Sequence, residues 1–126
     1  MSSETSRQFI ERYMAALSGS DKSPDLISQF VADDSLKRHI EDFEKSFPGY
    51  DLEVDDMVVE GDKVALRATF SGVHQEEFQG IAATGREVSL PVMLMYRIAD
   101  GKIADFWMSA DSLSLLQQLG AVPVPA

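Results

Sequence analysis

Residues 86–110, REVSLPVMLMYRIADGKIADFWMSA, decide the fold. They read as two long strands joined by a tight turn at Asp100-Gly101. Along Val88 to Ile98 both alternating sets of side chains are apolar. Val88, Leu90, Val92, Leu94 and Tyr96 form one set, and Pro91, Met93 and Met95 form the other. A sheet with one wet face alternates apolar with polar residues, so a strand that is apolar on both faces needs cover on both. Helices of the same chain are expected to supply one cover. The other is either a second subunit or more of the same chain. The next strand, Ile103 to Ser109, carries Ala104, Phe106 and Met108 on one face and Asp105, Trp107 and Ser109 on the other. The first face is expected to line a ligand pocket, the second to meet a partner or solvent.

Upstream of this pair the apolar period is helical. Phe9, Ile10, Tyr13, Met14 and Leu17 make one stripe of a helix from about Glu4 to Ser18, with Ser3 as the expected cap and Gly19 past its end. A second helix begins at Ser23-Pro24, a cap followed by the proline that suits the first turn, and should bury Leu26, Ile27, Phe30 and Val31. A third spans about Ser35 to Phe47 on Leu36, Ile40, Phe43 and Phe47, with His39 at the stripe's edge and Pro48-Gly49 as its stop. Then the period shortens. Tyr50 to Glu60 alternates, with a break at Asp55-Asp56 that predicts a bulge. Glu60-Gly61-Asp62 turns the chain into a strand from Lys63 to His74. Gln75 to Gly85 is a loop or bent edge holding Phe78 and Ile81. After the two long strands, Asp111 to Leu119 reads as a last helix on Leu113, Leu115, Leu116 and Leu119, capped by Asp111 and ended by Gly120. The tail AVPVPA is broken by prolines. Segregated helices and an antiparallel meander give an α+β class, a curved sheet with helices laid across its concave side and an apolar cavity between them.

The 126 residues suit one domain, large enough to bury roughly two thirds of its unfolded surface. The net charge of -10 disfavours nucleic acid and anionic membrane surfaces as partners. With no cysteine, thiolate catalysis, disulfides and thiolate metal sites are excluded. The start, MSSETSRQF, has no basic segment followed by an apolar run, and no stretch approaches the length of a spanning helix. The expected location is the cytoplasm.

The segments FPGYDLEVDDMVVEGDKVALRATFSGVH, EEFQGIAATGREV, YRIADGKIADFW and LLQQLG, in that order, resemble the SnoaL-like polyketide cyclase (ester cyclase) family of the nuclear-transport-factor-two-like superfamily. The resemblance runs from the first helix to Gly120. It implies a cone-shaped domain, a homodimer or higher oligomer built on the outer sheet face, and a hydrophobic pocket between helices and sheet. The well-studied cyclases of this family close a ring by an intramolecular aldol step without a cofactor. Their acid/base aspartate corresponds to Met108 here. A histidine common in relatives corresponds to Phe106, another on the neighbouring strand to Leu94, and the Pro-Pro-Thr-Gly loop to Ala82-Ala83-Thr84-Gly85. Acid/base work needs a group that exchanges protons near neutral pH, and methionine, phenylalanine and leucine cannot do so. The aldol mechanism therefore does not transfer residue by residue.

The polar candidates left for catalysis are His39, Asp111 and Tyr96. The expected ligand-binding wall is Tyr13, Met14, Phe43, Val92, Leu94, Phe106 and Met108. Each has a plainer reading. His39 is otherwise a half-exposed helix residue, Asp111 an N-cap, and Tyr13 and Tyr96 core residues whose hydroxyls reach a surface. His74 is read as a structural histidine, with Glu77 as a possible partner. Arg67 binds an anionic group or pairs with a surface acid. Two histidines without spacing make no metal site, so neither metal nor cofactor is expected. Two functions follow. One is a cofactor-independent cyclase or isomerase acting on a hydrophobic, oxygenated small molecule. The other is a non-catalytic binding or scaffold protein of the same fold.

Overall fold

The computed structural model describes residues 2–123. The end of the proline-broken tail, residues 124–126, lies outside them. Three helices come first: α1 (Ser3–Leu17), α2 (Pro24–Phe30) and α3 (Asp34–Ser46). A four-stranded antiparallel meander follows, β1 (Asp51–Glu60), β2 (Lys63–Val73), β3 (Glu87–Ala99) and β4 (Lys102–Ala110), and then α4 (Ser112–Gln118). The α+β class and the order of elements are those expected.

Helix α1 buries Phe9, Ile10, Tyr13, Met14 and Leu17, the stripe that the spacing predicts. Its cap is Ser2, which accepts from the Thr5 N–H, and not Ser3. The Ser3 hydroxyl instead accepts from the Gly61 N–H at 2.9 Å, and the buried Ser6 hydroxyl donates to the Gly61 carbonyl. Both backbone polar groups of Gly61, at the β1–β2 turn, are thus tied to α1. Helix α2 is short and buries Ile27 only; Leu26 and Phe30 are half-buried. Helix α3 starts one residue earlier than expected because Asp33 takes the cap, accepting from the Leu36 N–H at 3.0 Å.

In the sheet, β3 is the spine. Its inward side chains Val88, Leu90, Val92, Leu94, Tyr96 and Ile98 are all buried, while Met93 is 61% exposed and Met95 40%. Strand β2 matches it with Val64, Leu66, Ala68 and Phe70. Each edge strand carries one irregularity. In β1 the register slips between Val54 and Asp56, the bulge expected there. In β4 the slip falls between the pairs Arg97↔Asp105 and Ile98↔Ile103, so Ala104 is the extra residue. The expected inward set Ala104, Phe106, Met108 is therefore corrected to Ile103, Phe106, Met108. Ile103 is fully buried and Ala104 only half so. The strand's start also meets the α2–α3 link, since Ala32 N–H donates to the Ile103 carbonyl at 2.9 Å.

Lys22 was not singled out by any sequence pattern, yet its side chain is buried. Its ammonium donates to Glu44 at 2.7 Å and to the carbonyls of Tyr50 and Ser20 at 2.9 and 3.0 Å. Glu44 also accepts from the Gly49 N–H at 2.8 Å. The cluster joins the α1–α2 loop, α3 and the start of β1. Glu44→Ala leaves a buried ammonium with carbonyl partners alone, and a loss of about 2–3 kcal/mol is expected. Lys22→Met, which removes the charge and keeps the volume, should cost less. Urea unfolding of both variants checks the order; a Glu44→Ala protein as stable as the parent would contradict it.

Candidate functional site

Between the helices and the concave face of the sheet lies a cavity of about 290 Å³, at the small end of the range that ligand sites occupy. Leu17 of α1 and Leu36 and Ile40 of α3 form its roof. Its floor comes from alternate residues of the sheet, among them Phe70, Leu90, Val92, Leu94 and Met108. The outer end is bounded by Ser112, Leu115 and Leu116 of α4 and by Phe78 and Gln79 of the 74–86 loop.

Both closing segments are fastened to the body. Helix α4 is held by Gln118, whose amide accepts from the Ser89 N–H and donates to the Ser89 carbonyl, each at 2.9 Å. Gln118 thereby pairs with the part of β3 that extends past the end of β4. The loop is held by His74, which is fully buried. Its Nδ1 accepts from the Thr84 N–H at 3.2 Å and lies 2.9 Å from the Thr84 hydroxyl. The structural hydrogen bond expected of His74 is present, with Thr84 rather than Glu77 as its partner. Phe78 and Ile81 exchange backbone hydrogen bonds around Gln79-Gly80.

The polar groups on the cavity wall are few. His39 reaches it from α3, its ring 4.6 Å from that of Phe43 and 6.1 Å from that of Phe106 between centroids. Burial holds the imidazole below the ordinary histidine value, and the Asp42 carboxylate offsets part of that. It is therefore neutral at pH 7. The other titratable groups are Tyr13, Tyr50 and Tyr96. Burial pushes all three hydroxyls well above the ordinary tyrosine range, and the negative charge of a neighbouring tyrosinate would push further. They stay protonated across the working pH range. No carboxylate lines the cavity among the described residues, and none of their His, Asp and Glu side chains form a group of three able to hold a metal ion.

The structure brings together on the wall His39, Tyr96, Tyr13, Phe43, Val92, Leu94 and Met108. It sets the remaining candidates elsewhere. Met14 is buried on the flank of α1, toward a surface groove beside Val54 and Met57. Phe106 is half-buried behind His39 and does not border the cavity. Asp111 is committed to the cap of α4, where it accepts from the Ser114 N–H at 2.9 Å. Met108 stands at the rim, 41% exposed. Arg67 lies on the opposite face of the sheet, 3.9 Å from Asp55. Sequence reasoning missed Tyr50, Gln79 and the α4 leucines as wall residues, because only tertiary folding brings them to this space.

A curved antiparallel sheet roofed by amino-terminal helices over an apolar cavity defines a small-molecule-binding protein of the α+β cone type. A sequence profile of the SnoaL-like polyketide cyclase family matches residues 22–119, and the chain belongs to that family. Among solved structures it is similar to AclR from Streptomyces galilaeus, a candidate hydroxylase, at 29% identity and a TM-score of 0.83 over 97% of this chain and 100% of that one. It is similar to TsrD from Streptomyces laurentii at 28% identity and a TM-score of 0.80, over 97% and 99%. It is also similar to IdmH from Streptomyces antibioticus, a candidate polyketide cyclase, at 25% identity and a TM-score of 0.73, over 91% and 98%. No curated protein matches the sequence. Family and fold together support a small-molecule function of the cyclase or hydroxylase kind. No helix among the described residues is long and apolar enough to cross a membrane.

The neutral His39 has a consequence for stability. Its folded value lies below the unfolded 6.5, so between the two the unfolded chain binds more protons. Its contribution is complete above pH 6.5 and is lost as the pH falls through that window. His39→Gln should therefore lessen the drop in urea midpoint between pH 7 and pH 5. An unchanged drop would mean that His39 titrates as an ordinary surface histidine.

Proposed function

We propose that the protein binds a hydrophobic, oxygenated small molecule in this cavity and rearranges it by proton transfer, as a cofactor-independent cyclase or isomerase with His39 as the base. One observation carries the reading. Among the described residues that line the cavity, His39 is the only one able to exchange a proton near neutral pH, and burial keeps it in the base form. The Nε2 or Nδ1 lone pair would take a proton from a carbon next to a ligand carbonyl. The electron pair left on that carbon would delocalise onto the carbonyl oxygen, where the Tyr96 hydroxyl is a suitable donor. The imidazolium would return the proton at another position, or the carbanion would attack a second carbonyl and close a ring, and the imidazolium would then give its proton to the alkoxide so formed. The candidate functions of AclR and IdmH, hydroxylase and polyketide cyclase, support an oxygenated substrate. Asp111 has no part in this scheme, because its carboxylate serves the helix cap.

A second reading, a binding protein without chemistry, is favoured by the floor of the cavity, where Leu94 and Met108 carry no group that exchanges protons. A two-ring enolisable ketone separates the readings. With 2-tetralone in deuterated buffer, the protein should accelerate exchange at the α-carbons, followed by NMR, and His39→Gln should remove most of that acceleration. Exchange no faster than in buffer alone would leave only the binder.

We propose further that the outer sheet face pairs with a second copy of the chain. One registered row across it, Val58, Ala65, Met95 and Trp107, is apolar from edge to edge. Val58 is 68% exposed and Trp107 52%. The row beside it is charged, Glu60, Lys63, Arg97 and Asp105, and would form a polar rim of the kind that interfaces carry. Met93→Glu or Met95→Glu should convert a dimer to a monomer in sedimentation velocity. A monomeric parent protein would rule the pairing out.

A further inference from the structure

We infer that the hydroxyls of Tyr13, Tyr50 and Tyr96 form an oxygen-binding subsite on one wall of the cavity, which selects ligands presenting a neutral carbonyl, enol or phenol oxygen and rejects carboxylates. The inference deepens the cavity reading above and rests on it. These three are all the tyrosines of the chain. They come from three separate parts of the fold, α1, the entry to β1, and β3, and all three line the same cavity. A core that merely needed aromatic volume at three such places would be served by phenylalanine, which has no hydroxyl to desolvate.

Each ring is fixed by its surroundings. Tyr13 and Tyr96 meet edge to face with centroids 5.7 Å apart, and Phe30 packs on Tyr13 at the same distance. The Tyr50 ring is held between the Lys22 ammonium, 3.9 Å from its centroid, and Phe70 at 5.0 Å. The hydroxyls belong together electrically. The charge of an ionised Tyr13 would act on Tyr50, that of Tyr50 on Tyr96 and that of Tyr96 on Tyr13. Nor are these hydroxyls sealed polar atoms waiting for a protein partner. Among the described residues, only His74 Nε2 is buried without one.

The rejection of anions follows from what surrounds the trio. No lysine or arginine lines the cavity among the described residues. Lys22, on the far side of the Tyr50 ring, already serves Glu44 and two carbonyls. A carboxylate brought in would lose its water and gain only neutral donors, which does not repay desolvation. A carbonyl or phenol loses far less and gains a pre-positioned hydrogen bond.

Three two-ring probes test this: naphthalene, 2-naphthol and 2-naphthoate, measured by fluorescence titration at pH 7. 2-Naphthol should bind about tenfold or more tighter than naphthalene, and 2-naphthoate no tighter than naphthalene. Tyr96→Phe should erase the advantage of 2-naphthol while leaving naphthalene affinity unchanged. Equal affinities for naphthol and naphthalene in the parent protein would overturn the subsite and leave the apolar cavity standing. Tight binding of 2-naphthoate would overturn the selectivity. Failure of every probe to bind would sink the cavity reading and the subsite with it. The parent comparison needs no variant, so it decides the matter even if Tyr96→Phe does not fold.

Discussion

The inward row of side chains must stay in phase across all four strands, and this constraint shapes the molecule. Strands β2 and β3 meet it by simple alternation. The edge strands cannot. In β1 the inward residues Val54 and Met57 are three apart, and in β4 the inward residues Ile103 and Phe106 are three apart. Odd spacing in a regular strand would turn one of each pair to the outer face. The extra residues Asp55 and Ala104 absorb the mismatch, and Ile103 is fully buried as a result. A bulge also bends its strand and increases local twist. Two bulges, one on each edge, therefore keep the core continuous and help curl the sheet around the space that becomes the cavity.

That space is bordered by fixed elements. Ser3 and Ser6 hold α1 to the β1–β2 turn, the Lys22 and Glu44 pair holds α3 to the entry of β1, and Gln118 holds α4 to β3. Each attachment uses the backbone of the sheet or its entry, so each sets a distance that side-chain repacking alone would not change. Between them the walls are apolar, and the few polar groups act in a medium where a hydrogen bond is worth more than in water.

How much of this was legible follows from the range over which each signal acts. The α1 stripe and the β2–β3 alternation are local periodicities, and they identified the buried residues correctly. The β1 bulge was visible because two adjacent aspartates break an apolar alternation. The β4 bulge was not, because Ala104 is apolar and fits a regular strand as well as Ile103 does. Met14 lies on the apolar stripe but off the cavity, because a helix stripe is wider than the face that touches any one cavity. Asp111 was ambiguous for a different reason: the same residue type serves as cap and as catalytic acid, and only the Ser114 contact distinguishes them. Lys22 carried no signal at all, and Tyr50 only its place in an apolar alternation. Their pairing spans 28 positions and depends on burying a charge, which composition never predicts.

The chemistry open to such a cavity depends on where its proton-exchanging group sits. At Leu94 and Met108 the sheet side of the cavity is apolar. His39 instead stands on α3, across the cavity from the sheet. Burial lowers its basicity, and the charge acting on it is that of Asp42. As the proposed base, a histidine weakened in this way would favour a carbon whose proton is already acidic, such as one flanked by two carbonyl groups. Neutral tyrosine donors would serve the oxygen of the enolate that such a proton transfer leaves. On the proposed function, a base on the roof and donors on the wall would ask for the same ligand from two sides, one that shares its charge over several oxygens along an otherwise apolar body.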